Sequence, residues 1–237
     1  YYNSVMTSIR DKIESQHLPK IREMNPKISK LTAELSKLPN PTDQSQSHNL
    51  RVKVSEKIKI SDNIIKLKLK SIKDQLPTFH AGSHIDIKLQ NGLIRQYSLT
   101  NAPGETDHYS IAVKVEKDRK GGSKIIADNL SVGDIMAISS PHNNFPLLRN
   151  SSHIIFLAGG IGITPLLSMA KAMHSMQLSF ELHHFTRSAD KLAFQPDLEN
   201  FAQNTTTYTD FSISQTLTSI KSILKKPKVS NKIYVCG

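Results

Sequence analysis

The stretch HIIFLAGGIGITPLLSMA, residues 153–170, decides how the second half of the chain folds. Its apolar opening is typical of a buried β-strand, and LLSMA reads as the start of a helix. Glycines between the two let the backbone approach a ligand closely, and the N-terminus of the following helix favours an anion. The residues concerned are Gly159, Gly160 and Gly162, with Thr164 predicted to cap the helix and Pro165 to begin it.

The glycine loop by itself supports two interpretations. It departs from the dinucleotide fingerprint G-x-G-x-x-G, because the third glycine position is not glycine. A nucleotide-binding loop and a tight turn in a packed sheet therefore both stay open.

Downstream of this loop, strands and helices are predicted to alternate to the end of the chain. FELHHFT, TTYTD and KIYVCG read as strands, while DKLAFQPDLENFA and SQTLTSIKSILK read as helices. Such alternation predicts a mostly parallel sheet with right-handed crossovers, and hence an α/β unit over residues 151–237. Asp210 ends one of the strands, where it either binds a ligand or caps the next helix.

Upstream of the loop, residues 49–150 alternate apolar and polar positions, as in IIKLKLK, HIDIKLQ and YSIAVKVE. A period of two predicts a small antiparallel β-barrel of about six strands, which KGGSKIIADNL interrupts as a short helix. Residues 1–48 have apolar residues at helical spacing instead, broken by Pro19 and Pro26, and lead into a linker rich in proline and small polar residues. This segment is predicted to be a helical extension or the tail of an upstream domain.

A second polar motif lies within the predicted barrel. RQYSLTN, residues 95–101, places a permanent cation, an aromatic ring and a hydroxyl group in a strand. Arg95 can hold a phosphate through two hydrogen bonds, Tyr97 offers a flat face, and Ser98 can bond a ring heteroatom. The helix start GGSK, residues 121–124, offers main-chain N–H groups that suit a phosphate, to which Lys124 and the hydroxyl group of Ser123 can add donors. An ordinary strand and an ordinary Gly-Gly-Ser loop are the alternative interpretation.

Composition narrows the classes of function. The single cysteine among 237 residues, Cys236, excludes an internal disulfide and a four-cysteine zinc or iron–sulfur site, and no metal site is predicted. No apolar run approaches the roughly 20 residues of a membrane span, and the chain starts at Tyr1 without a leader, so a cytoplasmic location is expected. The net charge is +11, but lysines that alternate along strands are typical of a solvated face and not of a nucleic-acid groove. A docking surface for an acidic protein is the first alternative, and a surface that contacts a phosphate backbone is the second.

Five motifs, in this order, resemble the ferredoxin–NADP reductase superfamily. Within it, the resemblance is to the phthalate-dioxygenase-reductase type, the reductase components of Rieske oxygenases and related demethylases. The motifs are RQYSLTNAP, GGSKIIADNLSVGD, SSPHNNFPL, AGGIGITPLLSMA and YVCG, and the similar region runs from Arg51 to Gly237. The resemblance implies an antiparallel β-barrel that binds a flavin, followed by an α/β parallel-sheet domain that binds a nicotinamide nucleotide.

The resemblance also implies roles for individual residues. The flavin is expected to be FMN, with FAD as the alternative, and to contact Arg95, Gln96, Tyr97 and Ser98, with its phosphate at Gly121, Gly122 and Ser123. NADH, with NADPH as the alternative, is expected at Gly159, Gly160, Gly162, Thr164, Arg187, Ser188 and Cys236. Ser98 and Cys236 are the predicted catalytic residues, Ser98 at the flavin nitrogen that receives the hydride and Cys236 near the nicotinamide carbon that gives it up. A small buried residue at a strand end is the other interpretation of Cys236.

A reaction and partners follow from the same resemblance. NAD(P)H is expected to give a hydride to the flavin, which passes single electrons to a [2Fe–2S] centre that feeds an oxygenase or demethylase. Because the sequence stops at Gly237 without cysteines for such a cluster, a truncated sequence is expected, with the cluster in a further domain or a separate protein. Two alternatives stay open: a free-standing NAD(P)H:flavin reductase, and a nucleotide-binding module without redox chemistry.

Overall fold

A computed structural model of the protein describes residues 50–73, 75–89, 92–115, 122–148, 151–225 and 231–237. These residues all fall within one compact unit, His48–Gly237. The predictions for residues 1–48 and for Gly121 lie outside the described residues. Domain limits near residues 49 and 150 stay a prediction.

The first half of the described chain is a six-stranded antiparallel sheet, as predicted. Its strands lie in the order β4-β3-β6-β1-β2-β5, and a single bridge between Leu99 and Ile111 brings the two edges together, so the sheet curls into a half-barrel. Alternate residues such as Val52, Val54 and Leu67 are fully buried inside it, which is the physical reason for the period of two in the sequence. The strands are β1 Leu50–Ser61, β2 Ile64–Ser71, β3 His84–Lys88, β4 Ile94–Ser98, β5 Tyr109–Lys114 and β6 Ile135–Ile138.

A short helix, α1 (Gly122–Asn129), lies between β5 and β6. Ile126 anchors it in the barrel core. Lys57 donates from Nζ to the carbonyl oxygens of Ala127 and Leu130, both at 2.6 Å. A lysine at these carbonyls satisfies acceptors that a helix C-terminus leaves unpaired and complements the negative end of the helix dipole. The two contacts fix the direction of α1, and with it the position of its N-terminus.

The second half is a four-stranded parallel sheet in the order β10-β7-β8-β9, again as predicted. Helices connect the strands, and the predicted helix over residues 190–202 is confined to α3 with a 3-10 turn on each side. It cannot begin earlier because Phe194 has a left-handed backbone and Pro196 stands in the first turn. The elements are β7 His153–Gly159, α2 Ile163–Ser175, β8 Phe180–Phe185, α3 Gln195–Glu199, β9 Thr205–Tyr208, α4 Ile213–Leu224 and β10 Asn231–Cys236.

The two sheets are joined by a shared seam. Ile64 and Ala112 of the barrel pack in one apolar cluster with residues of α2 such as Met169. Buried Ser168 of α2 donates to the carbonyl oxygen of Asn101 at 2.9 Å. Asn101 follows β4, and its side-chain amide donates to the carbonyl oxygen of His108 at 3.0 Å. The end of β4 is therefore fixed relative to α2.

An ion triad also crosses the seam. Asp197 of α3 binds Lys171 of α2 at 2.6 Å and Lys66 of β2 at 3.1 Å, and the three side chains are only 17–25% exposed. Burial by itself raises the pKa of Asp197, but Lys171 and then Lys66 outweigh it and hold the pKa below its usual value. A lowered pKa means that the triad stabilises the protein at neutral pH and loses this contribution as the pH falls towards and below the pKa.

Asp197→Asn is expected to lower the free energy of unfolding by about 2 kcal/mol at neutral pH, because it leaves two largely buried lysines without a counterion. The loss is smaller than the ~3–5 kcal/mol of a fully buried pair, since both lysines keep some contact with water. Urea unfolding followed by circular dichroism measures the loss. Asp128→Asn is the matched control, since Asp128 pairs with Lys124 on the surface at about half exposure, and a change within ~0.5 kcal/mol is expected. Equal losses in the two variants would contradict a role for the triad at the seam.

Within the described ranges, no helix combines the length and the apolar content that crossing a membrane requires.

Candidate functional site

The carboxyl ends of the four parallel strands meet along one edge of the second sheet. Gly159, Phe185, Tyr208 and Cys236 end β7, β8, β9 and β10, and the in-register pairing of these strands brings the four ends side by side. In open parallel sheets, ligands bind at this edge.

The glycine loop packs directly on the end of β10. A Cβ atom on Gly162 would overlap the carbonyl group of Cys236 and lie 2.5 Å from the main-chain nitrogen of Gly237. Gly160 has a left-handed backbone, with φ +53°, and open space on the side where a Cβ would stand. Two predicted residues distant in sequence, Gly162 and Cys236, are therefore in contact through their backbones.

The predicted cap of the following helix is wrong. Helix α2 begins at Ile163, so Thr164 lies inside its first turn, and Gly162 takes the capping position without a side-chain hydrogen bond. The hydroxyl group of Thr164 donates instead to the carbonyl oxygen of Ile161 at 3.0 Å. The first turn of α2 contains no acidic residue, which leaves it suited to an anion.

A buried histidine that the sequence analysis missed lies beneath this loop. His184 of β8 is 1% exposed, and its Nε2 is 3.1 Å from the carbonyl oxygen of Gly160. Burial lowers the pKa of His184 to about 4. The signal was available, because HH inside the predicted strand FELHHFT puts one imidazole on each face of the sheet. Only the folded structure shows that His184, and not His183, points towards the glycine loop.

A cluster of three aromatic rings follows β8 and β9 at the same ends of the strands. The rings of Phe185 and Tyr208 stack at 4.3 Å, and Phe211, which is 40% exposed, meets Tyr208 edge-on at 5.4 Å. The predicted residues Arg187 and Ser188 lie just beyond β8, where Arg187 is exposed and the main-chain carbonyl of Ser188 accepts from Thr186. Asp210 does not cap α4; Ser212 does, in a reciprocal pair with Gln215.

The barrel brings the predicted phosphate residues together. A Cβ atom on Gly122 would lie 2.8 Å from both Cγ and Nε of Arg95, so the arginine side chain crosses the first residue of α1. A guanidinium group at a helix N-terminus without acidic residues is suited to hold a phosphate. Ser123 is half-buried in the same turn, whereas Lys124 pairs with Asp128 at 2.7 Å. A methyl group on Gly122 would displace the side chains of Arg95 and Leu89, so the glycine lets Arg95 lie against this helix start, an arrangement that fits a flavin phosphate.

The other residues of the motif divide between the two faces of β4. Its register places Arg95 and Tyr97 with the buried residues Ile87 and Ile85, and Gln96 and Ser98 on the opposite face with Asp86 and His84. Burial raises the pKa of Tyr97 to about 12, against the opposing effect of Arg95. Gln96 is exposed, and its amide nitrogen is 3.5 Å from the ring of His84. The strand thus presents Arg95 and Tyr97 together, and Ser98 at its end.

Clusters of three or more histidine, cysteine, aspartate or glutamate residues with a geometry for metal binding are absent from the part of the chain that the structure describes.

Known proteins are similar to this chain in sequence and in fold. Residues 51–146 match the family described as the oxidoreductase FAD-binding domain. The phthalate 4,5-dioxygenase oxygenase reductase subunit of Pseudomonas putida is 37% identical over 190 residues, which are 78% of this chain and 59% of that protein. A vanillate O-demethylase oxidoreductase from a Pseudomonas species is 41% identical over 164 residues, 68% of this chain and 52% of its own length.

A solved structure agrees with these relatives. Phthalate dioxygenase reductase, described as a modular structure for electron transfer from pyridine nucleotides to [2Fe–2S], superposes with a TM-score of 0.74 at 35% identity. The match covers 78% of this chain and 59% of that structure, so the chain spans a little over half the length of the relatives it matches. On these grounds the chain belongs to the ferredoxin–NADP reductase superfamily of oxidoreductases, in the phthalate-dioxygenase-reductase type.

Proposed function

We propose that this chain is the flavin- and nucleotide-binding part of an NAD(P)H-dependent reductase. It takes a hydride from the nicotinamide and passes single electrons to a [2Fe–2S] centre, in a further domain or a separate protein, that feeds an oxygenase or demethylase component. The observation that carries the proposal is the meeting of Arg95 with the N-terminus of α1, on the face of β4 that Tyr97 shares, with Ser98 at the end of the same strand. The names of the relatives, which are reductase components of such oxygenase systems, support it.

Different residues of the barrel bind different parts of the flavin. Arg95, Gly122 and Ser123, with Gly121 before them, bind its phosphate, and Tyr97 lies against its ring system. Gln96, on the same strand, is a further contact of the flavin, and the hydroxyl group of Ser98 donates a hydrogen bond to a ring nitrogen. FMN, which ends at that phosphate, is the proposed form, with FAD as the alternative. When bound, a flavin accepts a hydride and releases electrons one at a time, chemistry that no protein side chain supplies.

The edge of the parallel sheet binds the nicotinamide nucleotide. Gly159, Gly160, Gly162 and Thr164 hold its phosphates at the start of α2, and Arg187 and Ser188 lie by the adenosine ribose. Cys236, at the end of β10, lies by the nicotinamide. NADH is the proposed coenzyme, with NADPH as the alternative. The protein contributes by orienting the two rings and by excluding water. Holding the rings close together in the correct orientation lowers the barrier to hydride transfer.

The visible absorption of a bound flavin tests this proposal. Purified protein is incubated with FMN or FAD, desalted, and mixed with NADH or NADPH without oxygen. We expect a yellow protein that retains one flavin and whose flavin absorption bleaches on addition of the nucleotide. A protein that retains neither flavin is a binding module without redox chemistry and refutes the proposal. Single-electron reduction of an added [2Fe–2S] protein separates the reductase of an oxygenase system from a free-standing flavin reductase.

Ser98→Ala is expected to slow flavin reduction by saturating NADH about tenfold or more, because the variant loses one hydrogen bond to the reacting ring. Flavin affinity is expected to stay within about threefold of the wild-type value, since the phosphate carries most of the binding. Stopped-flow absorbance and a flavin titration measure the two effects. Arg95→Ala is the complementary variant, with flavin affinity reduced by roughly ten- to a hundredfold. An unchanged reduction rate in Ser98→Ala would remove the assigned role of this hydroxyl group.

A further inference from the structure

We propose that His184 is a positioning residue of the nucleotide site, which aims the main-chain N–H of Ile161 at the phosphates of the bound dinucleotide. The inference rests on the proposed function, in that a nicotinamide nucleotide binds at the glycine loop. His184 belongs to none of the sequence motifs of that site.

The surroundings of His184 indicate a dedicated contact. The residue lies on β8 opposite Ala158 of β7, almost fully buried, with Nε2 at 3.1 Å from the carbonyl oxygen of Gly160. Its other ring nitrogen, Nδ1, is buried without a hydrogen-bond partner. A buried polar atom without a partner is unfavourable. An imidazole at this position is therefore a poor choice for packing alone, and the bond to Gly160 is the one contact that an apolar side chain could not replace.

This bond determines the protonation of the ring. A carbonyl oxygen only accepts hydrogen bonds, so Nε2 must carry the proton. The ring then remains neutral with its proton on Nε2, and the pKa of His184, which burial lowers, is consistent with this form. The neighbouring His183 does not compete for the loop, because it lies on the opposite face of the sheet, where its Nδ1 is 3.0 Å from the hydroxyl group of Tyr208.

Fixing the Gly160 carbonyl also fixes the next N–H group. The carbonyl oxygen accepts from His184 and from the main-chain N–H of Ile163, and both bonds hold it against the protein. In a trans peptide the C=O and N–H bonds point in opposite directions, so the N–H of Ile161 points away from His184. The left-handed backbone of Gly160, with open space beside it, makes this orientation accessible. An N–H group at this end of α2 also carries the positive end of the helix dipole, which suits a phosphate.

Two probes distinguish positioning from simple packing. ADP-ribose carries the pyrophosphate of the coenzyme but no hydride, and adenosine carries no phosphate. Binding of each is measured by NMR titration on the flavin-loaded protein, for the wild type and for His184→Phe, His184→Gln and His184→Asn. Glutamine places an amide N–H at the reach of Nε2, whereas asparagine is too short and phenylalanine has no donor.

We expect His184→Phe and His184→Asn to bind ADP-ribose about tenfold more weakly than the wild type, because the main-chain N–H of Ile161 is no longer held in line for its hydrogen bond to the charged ligand. Adenosine binding is expected to stay unchanged, and His184→Gln is expected to recover most of the ADP-ribose affinity. Equal losses for both probes, unchanged ADP-ribose binding, or no recovery with glutamine would overturn the inference. A wild-type protein that does not bind ADP-ribose would refute the proposed nucleotide site itself, which is a separate result.

Discussion

Gly162→Ala is expected to abolish productive nucleotide binding, with an affinity for NADH at least about a hundredfold below that of the wild type, equivalent to ~2.7 kcal/mol. The added methyl group would overlap the carbonyl group of Cys236 and approach the main-chain nitrogen of Gly237 to 2.5 Å. Both neighbours are backbone atoms of β10 and cannot rotate away as a side chain can. The glycine loop, the end of β10 or both must therefore move. This movement separates the predicted nucleotide-binding residues of the loop from Cys236.

Backbone preference cannot cause this effect. Gly162 has φ −62° and ψ −6°, an ordinary right-handed conformation that alanine adopts readily. Gly104→Ala is the matched control, because Gly104 also has no positive φ and no atom within 4 Å of its would-be Cβ. Stopped-flow flavin reduction over a range of NADH concentrations measures both variants. Normal NADH affinity in Gly162→Ala would show that the contact between loop and β10 is not required for binding.

Gly82→Ala is expected to lower the free energy of unfolding by at least about 3 kcal/mol. Part of the loss, roughly 1–2 kcal/mol, comes from a side chain at φ +92°. The larger part is steric, because the new Cβ would overlap the main-chain carbonyl of Phe145 and lie 2.8 Å from Cε of Met169 in α2. Gly82 thus lies where the barrel, the segment before β7 and α2 come together. Opening this seam also weakens the contact of Phe145 with Tyr234 of β10, whose rings meet edge-on at 5.4 Å.

Two other glycines separate backbone strain from steric overlap. Gly92 and Gly133 also have positive φ, +81° and +102°, but no atom lies within 4 Å of the Cβ that either would gain. Alanine at these positions reports the conformational strain alone, and we expect losses near 1 kcal/mol in urea unfolding. The difference between Gly82→Ala and these controls measures the overlap at the seam. A Gly82→Ala protein as stable as the controls would contradict the close packing described here.

Periodicity was sufficient to predict the fold class. The alternation of apolar and polar residues in β1 and β2 is visible in the sequence because each strand has one buried face. Alternating strands and helices after residue 151 predicted the parallel sheet for a similar local reason, since each element must bury one apolar side. The residues at which the helices begin are harder to predict from the sequence. The sequence predicts Thr164 as a cap and Asp210 as a possible one, whereas Gly162 and Ser212 take these positions in the structure, because capping depends on the backbone angles of one residue.

Which segments form strands and helices, and which residues carry suitable chemistry, can be predicted from the amino-acid sequence, because both depend on side-chain type and short-range spacing. Which of these residues meet is seen only in the folded protein. Arg95 crosses Gly122, Gly162 packs on Cys236, His184 bonds to Gly160, and Lys66 shares Asp197 with Lys171. Each of these contacts joins separate elements, and it forms only when strand order, register and helix direction are set by packing of the whole core, a sum over many residues that no local pattern contains.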